Sequence, residues 1–409
     1  MKRRPLLAGA AIAMTLALAA CSGSTSAGGQ SADALTWGMW ISGNADQAAW
    51  QKVADAADAD QDGLKVTIQG APFADYWTKL QTQLSSSSAP CIVTLQSLRA
   101  ANYTSQLVDL DSLVKKNSTD LSEFDQTALT GMKVDGKLYA LPYDTGPFLM
   151  FYNRDMFKAA GVAEPKPGWT TADFEAAGAA LKAKGKTLFA PNVGDIPLES
   201  LILAYNGGRV VTSDGTLDPT NAKFAAGLDW MATLVKKGYS TEASSDASAD
   251  GNAFVNGQVA AYTDGPWSLI TQKEKAKFDL GVTTLPVGDT TETTYSAGSG
   301  FGISKECKYP DQAYKAIVSM TSAKVLGGLA AEGRAFPSRT SVQQDWFDNA
   351  KIEGADETFA VALKGAVPLP GNKNSDQLSQ LFTQYAIQAV NGQESGAKVL
   401  SDIAGQLPQ

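Results

Sequence analysis

An α/β fold of two or three domains is predicted by three features of this sequence. The chain opens, past residue 33, on a βαβαβ succession. Its middle is patterned for amphipathic helices. Of its 409 residues, 44% are hydrophobic, enough to bury more than one core. In order, "ALTWGMWI" is strand-like and "ADQAAWQKVADAA" carries Ala49, Val53, Ala56 and Ala57 at helical spacing. "LKVTIQ" reads as strand, "ADYWTKLQTQL" as helix and "CIVTLQ" as a β-branched strand. Such a succession implies a parallel sheet with right-handed crossovers, whose ligands bind beyond the carboxyl ends of the strands.

Helices follow with their own start and stop signals. "TTADFEAAGAALKAKG" offers Thr170 or Thr171 as N-cap and Gly185 as stop, with Phe174, Ala177 and Leu181 on one face. "NAKFAAGLDWMATLVKKG" puts Phe224, Leu228, Met231 and Val235 on one face and ends at Gly238. "YPDQAYKAIVSMTS" has Pro310 in its first turn. Residues 244–252, "SSDASADGN", read as a polar surface loop. "LYALPYDTGPFLMFYN", 138–153, resists a simple reading. Its apolar residues suit a buried strand, but Pro142, Pro147 and the lone acid Asp144 do not.

Charge and composition exclude several functions. With 34 Lys and Arg against 42 Asp and Glu, the chain lacks the basic balance that nucleic acid favours. It contains no histidine, which removes imidazole bases, His-based triads and His-ligated zinc. The N-terminus reads as a secretory signal: "MKRRP" is basic, the next fifteen residues are apolar, and small residues precede Cys21. "LAAC", Leu18–Cys21, resembles a bacterial lipobox, which implies lipidation of Cys21 after removal of residues 1–20. That loss takes away Lys2, Arg3 and Arg4, leaving 31 basic against 42 acidic residues, a net charge of −11. Residues 21–32 are Ser- and Gly-rich and read as a flexible tether. Cys91 and Cys307 are a pair that an oxidising compartment can bridge; two buried thiols are the alternative.

Short motifs carry little chemistry. "DADQDG", Asp58–Gly63, starts like a calcium loop, but Gln69 stands where a bidentate glutamate is needed and a strand follows, so a solvated turn is expected. "SLVK", Ser112–Lys115, lacks the partner motifs of penicillin-interacting hydrolases. The glycines of "GSGFG", 298–302, are read as places of close backbone approach. The tryptophans are more telling, because aromatic rings stack on the C–H faces of sugars. Trp50 and Trp230 lie in helical patterns and are assigned to the core. Trp40 and Trp267 are assigned to a site.

Taken together, "DYWTKLQTQLSSSSAPCIVTLQS", "GKLYALPYDTGPFLMFYNRDMFKAAGV", "PGWTTADFEAA", "AFVNGQVAAYTDGPWSL", "LGVTTLPVG", "GSGFGISKECKYPDQAYKAI" and "GRAFPSR" resemble the family 1 extracellular solute-binding proteins. These are carbohydrate-binding lipoproteins of ABC importers, and the resemblance covers roughly residues 35–340. Cys91 departs from it, since the family usually has Asp after the proline. The resemblance implies a two-lobe, type II periplasmic-binding-protein-like fold with the ligand cleft between lobes joined by hinge crossovers. Lobe one would hold 33–142 and 287–335, and lobe two 143–286 and 336–409. The stretch 138–153 would then be the first crossover, part core and part cleft wall.

Matched residue by residue, the family's cleft positions fall on Trp40, Ser42, Asn44, Gln96, Arg99, Asp144, Asp195, Glu199, Asp264, Trp267, Ser299, Arg334 and Phe336. The resemblance further implies an extracytoplasmic monomer held to the membrane by its lipid anchor. It would capture a sugar without turnover and pass it to permease subunits, with no cofactor. Two other readings stay open: a secreted carbohydrate-active hydrolase, which needs only two opposed carboxylates, and a binder of a polyol or other non-sugar solute.

Overall fold

The computed structural model describes residues 31–407, apart from 62 and 247. The lipobox cysteine, the signal segment and most of the tether lie outside the described residues. Two sheets organise the chain. The first runs in the order Lys65–Ala71, Ala34–Trp40, Ile92–Gln96, Ser299–Ile303, Ala140–Pro142. Its first three strands are parallel, and Ser299–Ile303 enters antiparallel between Ile92–Gln96 and Ala140–Pro142. Helix Asn44–Asp60 lays Ala49, Trp50, Val53, Ala54 and Ala57 inward. Trp50 meets Trp37 edge to face at 5.9 Å, as its helical position predicts. The acidic turn after this helix serves structure: Asp58 accepts the Val66 N–H at 2.8 Å and ties helix end to strand start.

The second sheet runs Leu280–Thr283, Leu149–Asn153, Val259–Asp264, Thr187–Phe189. The helices around it follow their local signals. Thr170 caps Thr171–Lys182 through a capping box with Asp173, and Gly185 follows at φ 69°. Asn221 caps Ala222–Lys236, and Gly238 follows at φ 69°. The loop expected at 244–252 ends earlier, because Ala249–Val255 is helical and buries Asp250 against Asn192. Each sheet has its own hydrophobic core.

A third, small sheet aligns Ala366–Pro368, Thr294–Ala297 and Gly146–Pro147. It moves one expected boundary. Tyr295 and Ala297 join the core of the second body, and Gly288 and Asp289 donate to the Ala204 and Tyr205 carbonyls there. Residues from 287 to 297 therefore pack mainly with the second body, although Thr294–Ala297 also meets helix Gln126–Gly131 of the first. The crossover lies at Gly298 and Ser299.

Three chain segments pass between the bodies and are hydrogen bonded to one another. Tyr143 N–H donates to the Ser299 carbonyl at 2.9 Å, and Thr145 N–H to the Phe336 carbonyl at 3.0 Å. Ser338 donates to Tyr143 through its N–H at 3.1 Å and to Pro142 through its hydroxyl at 2.7 Å. Cys91 and Cys307 form a disulfide with Cα atoms 4.5 Å apart, across 216 residues of sequence. It sits at the Ile92–Ile303 end of the antiparallel pair. Gln96 and Ser299 are at the opposite end, facing the crossovers.

Candidate functional site

The crossovers place a carboxylate at the centre of the molecule. Asp144 is buried, its Oδ1 accepts the Ser299 N–H at 2.6 Å, and its backbone pairs with Pro337. One residue thus touches all three connecting segments. Burial pushes its carboxyl up to about 7, against the opposing pull of the Ser299 N–H and the Arg334 charge. Arg334 is itself held by Asp46, whose other oxygen accepts the Ser42 N–H at 2.7 Å, and its guanidinium lies 4.7 Å from the Trp50 ring.

On the second body, strand Val259–Asp264 delivers Asp264 opposite Leu149, and the turn Pro266–Ser268 presents Trp267. Asp264 accepts the Gly265 N–H at 2.7 Å and the Tyr262 hydroxyl at 3.0 Å, while burial raises its carboxyl to about 6. Trp267 is half-buried. It leans on Phe148 edge to face at 5.2 Å and stands beside Gly146 of the first crossover, where a Cβ would lie 3.8 Å from the ring. Trp267 therefore stands beside the first crossover, while Asp264, at the end of its strand, faces Tyr262 and has Asp250 as its charged neighbour.

A second group lies beyond the end of strand Ile92–Gln96. Gln96 is the register partner of Ser299, which joins this group to the first. Arg99 donates to Gln96, to Asp195 at 2.8 Å and to Asp376 at 2.7 Å. Asp195 opens helix Asp195–Asn206. Glu199, one turn on, is 2% exposed with its Oε2 unpartnered. Burial first, and the nearby Asp195 charge second, raise Glu199 to about 8, although Arg99 pulls the other way. A carboxyl at that value is protonated at neutral pH and can donate a hydrogen bond.

Ser42 and Asn44 line an open cavity of about 650 Å³ on the first body, together with Gln47, Ile68, Pro72 and Phe73. Two expected site residues are elsewhere. Trp40 is 6% exposed inside a ring cluster with Phe73, Tyr76 and Trp77, so it has no free face for stacking. Its neighbour Phe73, 41% exposed, is the ring that borders the cavity. Phe336 is 1% exposed and packs against Trp346, Phe347 and Phe359, because the chain turns it into the second body as it leaves the crossover. Sequence reading missed Phe73, Asp46 and Asp376. Phe73 shares its helical face with Trp77, Leu80 and Leu84, so periodicity alone reads it as core, and none of the three carries a local signal of the site.

Two α/β bodies joined by three crossovers, with aromatic and carboxyl groups collected between them, define a two-lobe binding protein of the type II periplasmic class. The chain belongs to the bacterial extracellular solute-binding proteins, whose family model matches residues 52–359. It is 24% identical over 375 residues to the diacetylchitobiose binding protein DasA of Streptomyces coelicolor, covering 87% of this chain and 86% of that one. Two solved structures share the fold. The ABC substrate-binding protein Lmo0181 from Listeria monocytogenes, in complex with cycloalternan, superposes with a TM-score of 0.80 at 24% identity over 91% of this chain and 97% of that one. The GacH receptor of Streptomyces glaucescens, solved unliganded and with acarbose, gives 0.77 at 24% identity over 91% and 96%. As a member of this family the chain works outside the cytoplasm. Among the described residues no helix is long and apolar enough to cross a membrane.

Proposed function

We propose that this chain is the substrate-binding lipoprotein of an ABC importer. It captures a neutral carbohydrate, an oligosaccharide, between its lobes and delivers it to permease subunits without chemical change. The observation that carries this reading is the grouping at the first crossover: the half-buried Trp267 beside Gly146, two residues on from Asp144, a buried carboxyl with a protein hydrogen bond at Oδ1. Trp267 supplies a stacking face, and the carboxyl supplies an acceptor for hydroxyls. Both arginines near the cleft are engaged by carboxylates, Arg99 by Asp195 and Asp376 and Arg334 by Asp46, which favours neutral solutes over anionic ones. The ligand set is then Ser42, Asn44, Phe73, Gln96, Asp144, Glu199, Asp264, Trp267 and Ser299, with Asp195 and Arg334 as supports. Diacetylchitobiose, cycloalternan and acarbose, bound by the relatives, are oligosaccharides or resemble them, in keeping with this choice.

In this reading residues 33–142 and 298–335 form lobe one, and 143–297 and 336–409 form lobe two. Residues 1–20 are a signal peptide, Cys21 is lipidated, and 21–32 tether a monomeric body to the membrane. Solute contacts to both lobes favour the closed form, which the permease recognises.

The carboxyls raised by burial at Asp144, Asp264 and Glu199 also suit a hydrolase, since general acids are tuned in this way. One experiment separates the two readings: calorimetric titration of residues 33–409 against a panel of mono- and oligosaccharides, with product analysis of each mixture. Saturable binding with the sugar recovered intact supports capture. Cleaved sugar turns the acids into catalysts, and no binding to any sugar overturns the carbohydrate assignment.

A further inference from the structure

Arg99 stands on the short turn Ser97–Arg99, just past the end of a first-lobe strand, and is 5% exposed. Its Nε donates to Asp376 Oδ1 at 2.7 Å, its Nη2 to Asp195 Oδ2 at 2.8 Å and its Nη1 to Gln96 Oε1. Both carboxylates sit on helices of the second lobe. Asn102, also from the first lobe, donates to the other Asp376 oxygen at 2.7 Å. From the first-lobe side the guanidinium is backed by the Trp77 and Phe73 rings, 4.8 and 5.9 Å from their centroids. The acceptors are equally committed: Asp195 also takes the Ile196 N–H at 2.7 Å and the Ser379 hydroxyl at 2.8 Å.

We infer that Arg99, Asn102, Asp195 and Asp376 form an interlobe latch, in which Asp376 is a positioning residue that biases the hinge toward closure without touching solute. The inference rests on the two-lobe capture reading and assigns Arg99 a different role from a sugar contact. All three guanidinium nitrogens and both oxygens of each carboxylate already have protein partners, so a sugar hydroxyl would have to displace a charge-assisted hydrogen bond to enter. Among the described residues at this end of the cleft, Glu199 Oε2, one helical turn from Asp195, has no protein partner, and neither have Asn102 Oδ1 and Ser97 Oγ on the first-lobe side. Hinge opening must separate Arg99 from two carboxylates at once. Removing one member leaves the others poorly compensated in a desolvated place, so the effect of a single substitution falls on the closed form.

The test needs no solute. A fluorescent donor and acceptor on exposed Ser87 and Lys236, one on each lobe, report the interlobe distance distribution of the full chain. Asp376→Asn should lower the ratio of closed to open molecules by roughly tenfold. Arg99→Gln should do the same, and the double variant should do no more than either alone, as coupled residues require. Asn102→Ala, which removes one hydrogen bond and no charge, should shift the ratio in the same direction by less. Unchanged distributions in Asp376→Asn and Asn102→Ala, with native circular dichroism, would overturn the latch, even where Arg99→Gln does not fold. Purely additive shifts would overturn it too. Because solute is absent, a protein that binds no sugar leaves this result intact, and a failed latch leaves the titration intact.

Discussion

At the scale of single residues, the cleft is built from groups whose burial decides their chemistry. Trp267 keeps one part of its ring on Phe148 and leaves the rest accessible. Trp267→Ala should therefore cost roughly 1–3 kcal/mol of sugar affinity by calorimetry without unfolding the protein, as circular dichroism would show. The carboxyls predict a pH dependence with a definite sign. Asp144, Asp264 and Glu199 have folded-state values of about 7, 6 and 8, all above the ordinary 3.8 and 4.5. Between each pair of values the folded chain binds more protons than the unfolded one. Their contribution to stability is complete at the acid end and is lost as pH rises through 6, 7 and 8 in turn. Asp144→Asn and Glu199→Gln should each flatten that decline, measured as denaturant midpoints across the window. The sequence marks which residues lie near the crossovers better than it marks where their side chains point. Trp40 and Phe336 stand at cleft positions by motif, yet rings from distant segments, Tyr76 and Trp77 for one and Trp346 and Phe359 for the other, draw them into packing. Asp376 reads locally as an ordinary acid in a first helical turn. Its partner Arg99 is 277 residues away, and no local pattern joins them.

At the scale of elements, local rules carried most of the outcome. Caps, stop glycines and the first-turn proline of Pro310–Met320 lie where side-chain chemistry predicts them, since each needs only its neighbours in sequence. The small sheet of Thr294–Ala297 was not legible, because its partners Gly146–Pro147 and Ala366–Pro368 come from far along the chain and each contributes only two or three residues. Strand Ser299–Ile303 shows why "GSGFG" is glycine-rich. A Cβ at Gly300 would sit 2.7 Å from the Leu141 carbonyl oxygen, and one at Gly302 would sit 2.6 Å from that of Tyr139. Backbone is less able to yield than a side-chain tip. Gly300→Ala should thus lower stability by about 1–3 kcal/mol in chemical denaturation and loosen the first sheet where it meets the hinge.

At the scale of the whole molecule, the hinge and the disulfide divide two tasks. The crossovers tie the lobes together through Asp144, Ser299 and Pro337, and the bridge closes the first lobe on itself across the excursion into the second. Replacing Cys91 and Cys307 by Ala should lower unfolding stability by roughly 2–5 kcal/mol in an oxidising buffer. Sugar affinity should change little, because the bridge lies at the far end of the strand pair from Gln96 and Ser299.

The same bridge gives the chain a second covalent route between its ends. Exposed residues 244–246 fall inside the segment it spans, in a surface loop of the kind proteases reach first. A protease that cuts the backbone there splits the polypeptide into two pieces, and the sulfur atoms still hold them as one. On a gel the nicked protein should run as a single band until a reductant is added and as two afterwards, so the half that lacks Cys21 remains attached to the half that carries it.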